Sequence, residues 1–283
     1  MNVAKKVIKN ILFYTFMFIL AFLFLFPIVW MLVNSFKPEA QIATDLKTIN
    51  ALLPPFNINI ANWLTPYREV FMRFNLFSGI RNSLIYGGSL IVLNLFVNSM
   101  AAYALAKLNF PLKNFWFTLI VLVLIVPAEI NIVPLFVIVH RLGFENSLMG
   151  LLAPNIGNAL NIFLFRQFFI GIPRELEEAA FIDGANRLTI FFRVIIPLSK
   201  SIYATIAVLT FILAWNDYLW PVLIFADNSK LPLQVILNVL NNTMPVYTNQ
   251  VLAGLTVATI PMVLIYAFFQ RYIVEGIAHT GIK

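Results

Sequence analysis

The chain has 283 residues, of which 61% are hydrophobic and 11% charged, with a net charge of +7 and no cysteine. A soluble domain of this length could not hide so much apolar surface, so the bilayer is expected to be its main solvent. The missing cysteines exclude disulfides, thiol catalysis and cysteine-based metal sites. The basic residues are scattered among loops without interleaved stacking aromatics, which argues against a nucleic-acid partner.

A span needs roughly 20 apolar residues, and its backbone must satisfy its own hydrogen bonds in lipid. The apolar runs are unbroken and lack period-2 alternation, so they predict helices rather than a barrel: an all-α polytopic membrane protein with 1–283 as a single transmembrane domain. The first span is 11–33, preceded by Lys5, Lys6 and Lys9. It is too long, and too poor in small residues at its end, for a cleaved signal. A polar external loop over 37–80 follows, in which YREVFMRF (67–74) reads as an amphipathic turn at the interface.

The second span is 82–106, softened by Gly87, Gly88, Asn94 and Asn98, with Ala101, Ala102 and Ala104 for close helix contact. After a basic turn over 107–113, the third span (115–139) is interrupted by Pro127 and Pro134, with Glu129 and Asn131 between them. The fourth (147–170) carries Asn155, Asn158 and Asn161, whose spacing places them on one helical face for helix–helix bonding. A charged loop over 171–198 leads to the fifth span (202–225), an external loop (226–250), the sixth span (251–269) and a tail from 270 to 283. Six spans place both termini on one side. Basic residues mark the cytoplasm; with the N-terminus inside, the inner set holds most of the lysines and arginines, including Lys107, Lys113, Arg166, Arg174, Arg187, Arg193 and Lys200.

Physics alone makes residues 171–198 a helical pair. Pro173 suits a first helical turn, and Glu175, Glu177 and Glu178 put negative charge at its positive end. Gly184 can stop the helix in a left-handed conformation, Asn186 can cap a second helix, and Pro197 is expected to end it. Composition alone would also allow an ordinary amphipathic connector. The order Glu178-Ala179-Ala180, three residues, Gly184, nine residues, Val194-Ile195-Ile196-Pro197 resembles the EAA loop of bacterial ABC import permeases. The resemblance covers most of the chain, through Ser35-Phe36-Lys37-Pro38, Asn82-Ser83-Leu84, Ala102-Tyr103-Ala104-Leu105 and Trp215-Asn216-Asp217-Tyr218-Leu219-Trp220-Pro221. The last string is similar to the fifth span of the carbohydrate-uptake branch, in the shorter six-helix half of maltose-type importers.

That resemblance implies a type I importer permease fold and a place in the cytoplasmic membrane of a bacterium or archaeon. It also implies ATPase coupling through Glu178, Ala179, Ala180, Asp183, Gly184 and Pro197. The implied partners are a second permease, two ATPase subunits that bind ATP and Mg, and an extracytoplasmic solute-binding protein delivering a sugar. The chain itself shows no catalytic constellation, no metal-ligand spacing around His140 or His279, and no phosphate loop in GIAHTGIK.

Trp215, Asn216, Asp217 and Tyr218 have two open readings: a substrate path, where an acid inside a span marks function, or an aromatic belt at the outer interface. Glu129 and Asn131 read either as a path-lining gate or as an internally bonded bend. Other functions considered are a permease for another solute such as glycerol phosphate, and an ion-coupled carrier. The carrier would leave the EAA loop unexplained.

Overall fold

A computed structural model describes residues 2–56 and 59–281, with side chains described for 6–56, 59–60 and 62–271. Its long elements are helices, in chain order α1 (Asn2–Asn34), α2 (Glu39–Asp45), α3 (Thr65–Arg73), α4 (Leu76–Lys107), α5 (Lys113–Val123) and α6 (Ile132–Arg141). They continue with α7 (Leu148–Leu152), α8 (Ala159–Ile170), α9 (Glu175–Ile182), α10 (Arg187–Ile190), α11 (Ile196–Leu198) and α12 (Lys200–Asn216). The last are α13 (Leu219–Ile224), α14 (Leu233–Asn242) and α15 (Thr248–Gly281). The chain divides into two compact units, 1–77 with 236–260 and 78–235 with 261–283.

Among the described residues, three helical stretches are long and apolar enough to cross a membrane: Lys6–Asn34, Leu76–Lys107 and Thr248–Arg271. Three further candidates are broken pairs, bent by 94° between α5 and α6, 49° between α7 and α8, and 82° at Ser199 between α11 and α12. Several expectations change as a result. The stretch 115–139 turns through a right angle at Val126-Pro127, because proline cannot continue the backbone ladder. The stretch 202–225 consists of α12, an interruption at Asp217-Tyr218, and α13. The tail expected from 270 is no separate element, since α15 runs unbroken to Gly281. The side chain of His279 lies outside those described.

In the first unit, several buried polar side chains find partners in the chain. Lys37, with its side chain fully buried, pairs with Asp45 at 3.0 Å and donates to the Asn50 carbonyl at 2.7 Å. Asn34 donates to the carbonyls of Trp30 and Ala51, at 2.7 and 2.8 Å, tying the end of α1 to the following loop. Asn249 at the start of α15 donates to the Lys37 carbonyl at 3.2 Å, and Gln250 donates to Glu69 of α3 at 2.7 Å. α14 buries Ile236, Leu237 and Leu240, and Gly254 of α15 lies against it: a Cβ there would sit 2.8 Å from a Leu237 methyl.

The second unit is built on α4. Its C-terminal half buries Ala102, Tyr103 and Ala106 with Phe165, Phe169, Phe191, Ile195, Ile202 and Ile206. The small Ala102 is fully buried there, the close contact that its size predicted. Its N-terminal half buries Tyr86 and Leu90 with Leu151, Leu152, Ala214, Trp220 and Ile224. Gly150 of α7 is fixed by contact: a Cβ would lie 2.3 Å from the Phe144 carbonyl oxygen.

Candidate functional site

Two features of the second unit carry the candidate chemistry. One is the helical reversal over 175–198; the other is a cavity along α4 with several polar groups on a largely apolar wall.

The reversal follows local rules. α9 opens with Glu175, Glu177 and Glu178 in its first turn, where the helix dipole favours negative charge. Gly184 stops it at φ +81°, with its N–H donating to Phe181 at 3.0 Å and the Ala185 N–H to Ala180 at 2.9 Å. Asn186 caps α10, its side chain accepting from the Thr189 N–H at 2.8 Å. Two details differ from expectation. Pro173 precedes the cap residue Arg174 and so sits outside the first turn. Pro197 does not end the second helix, which continues through α11 to Leu198 and breaks at Ser199. The turn before it, Phe191–Ile195, is widened to a π-helix, so the carbonyl ladder is already opened where the proline ring enters.

Glu178, Ala179, Asp183, Gly184 and Pro197 are all exposed, and Ala180 is partly buried against the core of the unit. Around them Ile182 (87% exposed), Leu188 and Phe192 present apolar surface to the outside. Arg187 stacks its guanidinium on the Phe181 ring at 4.1 Å.

Glu177 behaves differently from its neighbours. It points inward, and its carboxylate lies 3.1 Å from the Lys107 ammonium and accepts from the Tyr103 hydroxyl at 3.3 Å. Lys107 also donates to the Ile172 carbonyl at 2.6 Å. Lys113 turns back over the end of α4, donating to the carbonyls of Ala106 and Leu108 at 3.1 and 2.8 Å, and Arg166 donates to that of Leu105 at 3.3 Å. The basic turn over 107–113 is therefore the cap of α4, where cations meet the negative end of its dipole. Sequence reading passed over Lys107 and Tyr103, although their i,i+4 spacing puts both on one face of α4.

The cavity holds about 390 Å³ and is lined on one side by Tyr86, Leu90 and Asn94 of α4, with Asn155, Asn158, Asn161, Thr210, Asp217 and Trp220 among its other walls. The asparagines do not share one helical face, because the helix breaks between α7 and α8. Asn158 instead caps α8, accepting from the Asn161 N–H at 3.0 Å. The break is held by α4: Asn94 donates to the Asn155 carbonyl at 3.0 Å, Asn98 donates to that of Ile156 at 3.1 Å, and the Asn158 N–H donates to Asn98 at 3.0 Å. The Asn94 oxygen receives both the Asn98 and Asn161 amides at 2.8 Å. Backbone groups freed at a helix break need new partners, and side chains from the neighbouring α4 supply them here.

Of the string at 215–218, Asp217 lines the cavity, accepting from the Tyr86 hydroxyl at 3.0 Å. Trp215 is buried and stacked on Phe211 at 5.2 Å, while Asn216 is exposed and donates back to the Ile212 carbonyl at 2.8 Å. Tyr218 is also exposed. Glu129 and Asn131 lie exposed on the turn between α5 and α6; their neighbours Ala128 and Ile132 are the ones on the cavity wall. Among the described residues no cluster of acids and histidines could hold a metal.

Comparison with known proteins agrees with this architecture. Residues 98–279 match the family model described as binding-protein-dependent transport system inner membrane component. The arabinooligosaccharides transport system permease protein AraQ of Halalkalibacterium halodurans is 31% identical over 264 residues, 93% of each chain. The sn-glycerol-3-phosphate transport system permease protein UgpE of Yersinia pestis is 38% identical over 201 residues, 70% of this chain and 72% of its own. A chain in the crystal structure of a bacterial ABC transporter involved in import of the acidic polysaccharide alginate superposes with a TM-score of 0.82 at 27% identity, covering 95% of this chain and 97% of that one. The fold is that of a type I ABC importer permease, a transport subunit of a membrane protein rather than an enzyme. The chain belongs to the family of binding-protein-dependent transport system inner membrane components.

Proposed function

We propose that this chain is one half of the translocation path of an ATP-driven importer for a neutral sugar or oligosaccharide. Residues 1–283 act as one permease domain with six spans and both termini in the cytoplasm. The chain pairs with a second permease, takes solute from an extracytoplasmic binding protein, and is driven by two ATPase subunits that hold ATP and Mg. Movement of the ATPases reaches the path through 171–198, with Glu178, Ala179, Ala180, Asp183, Gly184 and Pro197 at the docking face. Alternating access then opens the path outward and inward in turn.

The observation carrying the substrate class is the near full-length likeness to an arabinooligosaccharide permease. The cavity supports it: its wall offers amides, hydroxyls, an indole and one carboxylate, and no lysine or arginine. Amides and a carboxylate bond hydroxyls, while Trp220 offers an apolar face to sugar C–H groups. The glycerol phosphate reading draws on the 38% identity to UgpE. A phosphate is best held by arginine or lysine, and the cavity wall has neither.

The exposed Glu178, Ala179 and Ile182 support the docking role, since small and apolar residues beside a charge suit a close protein contact. Uptake of labelled arabinotriose by vesicles holding the assembled transporter tests the substrate class. Excess unlabelled arabinotriose is expected to suppress uptake, whereas excess glycerol 3-phosphate is expected to leave it unchanged. The reverse pattern would overturn the sugar assignment.

A further inference from the structure

We propose that the buried Lys107–Glu177 pair, completed by Tyr103, is the joint through which the 175–182 helix moves α4 and hence the cavity. The inference rests on the coupling role given above to 171–198, and names the residues that transmit it.

The geometry has three parts. First, the pair joins helix ends of opposite polarity: Lys107 is the last residue of α4 and Glu177 lies in the first turn of α9. Each charge sits where the dipole of its own helix favours it, and their 3.1 Å contact is almost fully shielded, with side-chain exposures of 3% and 6%. Lys107 is further tethered to the Ile172 carbonyl, so it holds both α9 and the segment leading into it. Three glutamates stand in the first turn of α9, and a dipole role would be served by all of them exposed. Only Glu177 among them is buried.

Second, desolvating two charges costs as much as their attraction returns, so a buried ion pair is poor evidence of a stability role. What it does supply is directional attachment: neither helix end can slide without stretching an ammonium–carboxylate contact that no water can replace.

Third, α4 is an unbroken helix of 32 residues with no internal proline. Asn94 lies about 20 Å from Lys107 along its axis and Tyr86 about 31 Å, at roughly 1.5 Å per residue. Asn94 and Asn98 grip the break between α7 and α8, and Tyr86 grips Asp217 at the end of α12. A displacement of α4 at its Lys107 end is thereby delivered to both cavity walls. The broken segments opposite it can bend; α4 carries the displacement.

The cysteine-free sequence makes the test direct. In the transporter assembled with its partner subunits in vesicles, Leu213→Cys places a thiol on the cavity wall. Its modification by a methanethiosulfonate reagent is timed without nucleotide and after trapping with ATP and vanadate. Trapping is expected to change the rate by at least about fivefold, the lower end for coupled sites. Adding Lys107→Met or Glu177→Gln is expected to abolish that change while ATP hydrolysis persists. Lys107→Arg, which keeps the charge, the dipole match and a donor for the Ile172 carbonyl, is expected to keep it. If Lys107→Met fails to assemble, Glu177→Gln and Lys107→Arg carry the test.

The joint is overturned if the nucleotide response survives both single changes, or if Lys107→Arg assembles but loses the response. Glu178→Ala and Gly184→Val run in parallel separate the two levels. Should they also leave the response intact, the coupling role of the loop fails with it; should they abolish it while the pair variants do not, only the joint fails.

Discussion

With valine in place of Gly184, the assembled transporter loses solute uptake while the chain still inserts and its helices stay folded. The reason lies in the backbone rather than in space. Gly184 has φ +81° and a Cβ there would meet nothing within 4 Å, so no core contact is disturbed. A left-handed conformation costs an L residue about 1–2 kcal/mol, enough to shift the population of the correct turn by about 5–30-fold. The β-branched valine stands at the costly end. A relaxed turn breaks the Gly184-to-Phe181 and Ala185-to-Ala180 bonds and rotates the exposed Glu178, Ala179 and Ile182 away from their partner. Proteoliposome uptake, measured with ATP hydrolysis stimulated by the binding protein, checks this. Wild-type values of both in the valine variant would remove the coupling role from the loop.

The second large effect is on stability. Asn94→Leu keeps the side-chain volume roughly constant but removes one donor and one doubly used acceptor from a site 2% exposed. Interhelical bonds in membranes contribute about 0.6 kcal/mol on average and about 1.7 at most. Losing three at one node is expected to cost about 2–5 kcal/mol. The Asn155 carbonyl, at the break, is also left without its partner. Thermal unfolding of the purified complex should fall by several degrees, and the break between α7 and α8 should become more open to hydrogen exchange. An unchanged melting temperature would show that the asparagines do not hold the break.

The parts of this architecture that were legible in the sequence are those governed by local rules. Gly184 as a helix stop and Asn186 as a cap depend on a few neighbouring residues, and both stand as the residue types dictate. The apolar runs at 11–33, 82–106 and 251–269 read directly as helices because lipid leaves the backbone no alternative. The errors came where continuity was assumed. Asn155, Asn158 and Asn161 share a face only if the helix continues past Gly157, and it does not. Pro197 reads as a stop until the widened turn ahead of it is known.

Most of the candidate site depends on pairings far apart in the chain. Glu175, Glu177 and Glu178 are equivalent by composition and dipole arguments. What singles out Glu177 is Lys107, seventy positions earlier, and only packing of α9 against α4 brings them together. Likewise Asn94 and Asn98 read as weak points in an otherwise apolar span, and acquire a purpose only beside a broken helix. The string at 215–218 divides for the same reason: Asp217 faces Tyr86, while Trp215 is packed in the core and Asn216 turns outward. A polar residue in a span announces that it needs a partner; the sequence does not say which helix supplies it.

The proposed function makes the chain a passive half-channel moved from its inner face by subunits that hydrolyse ATP, and reconstitution addresses that proposal directly. Vesicles containing this chain alone should fail to accumulate labelled arabinotriose with or without internal ATP, and accumulation should begin only when the second permease, both ATPases and the binding protein are present with ATP. Accumulation by the isolated chain, under an ion gradient or none, would contradict the account.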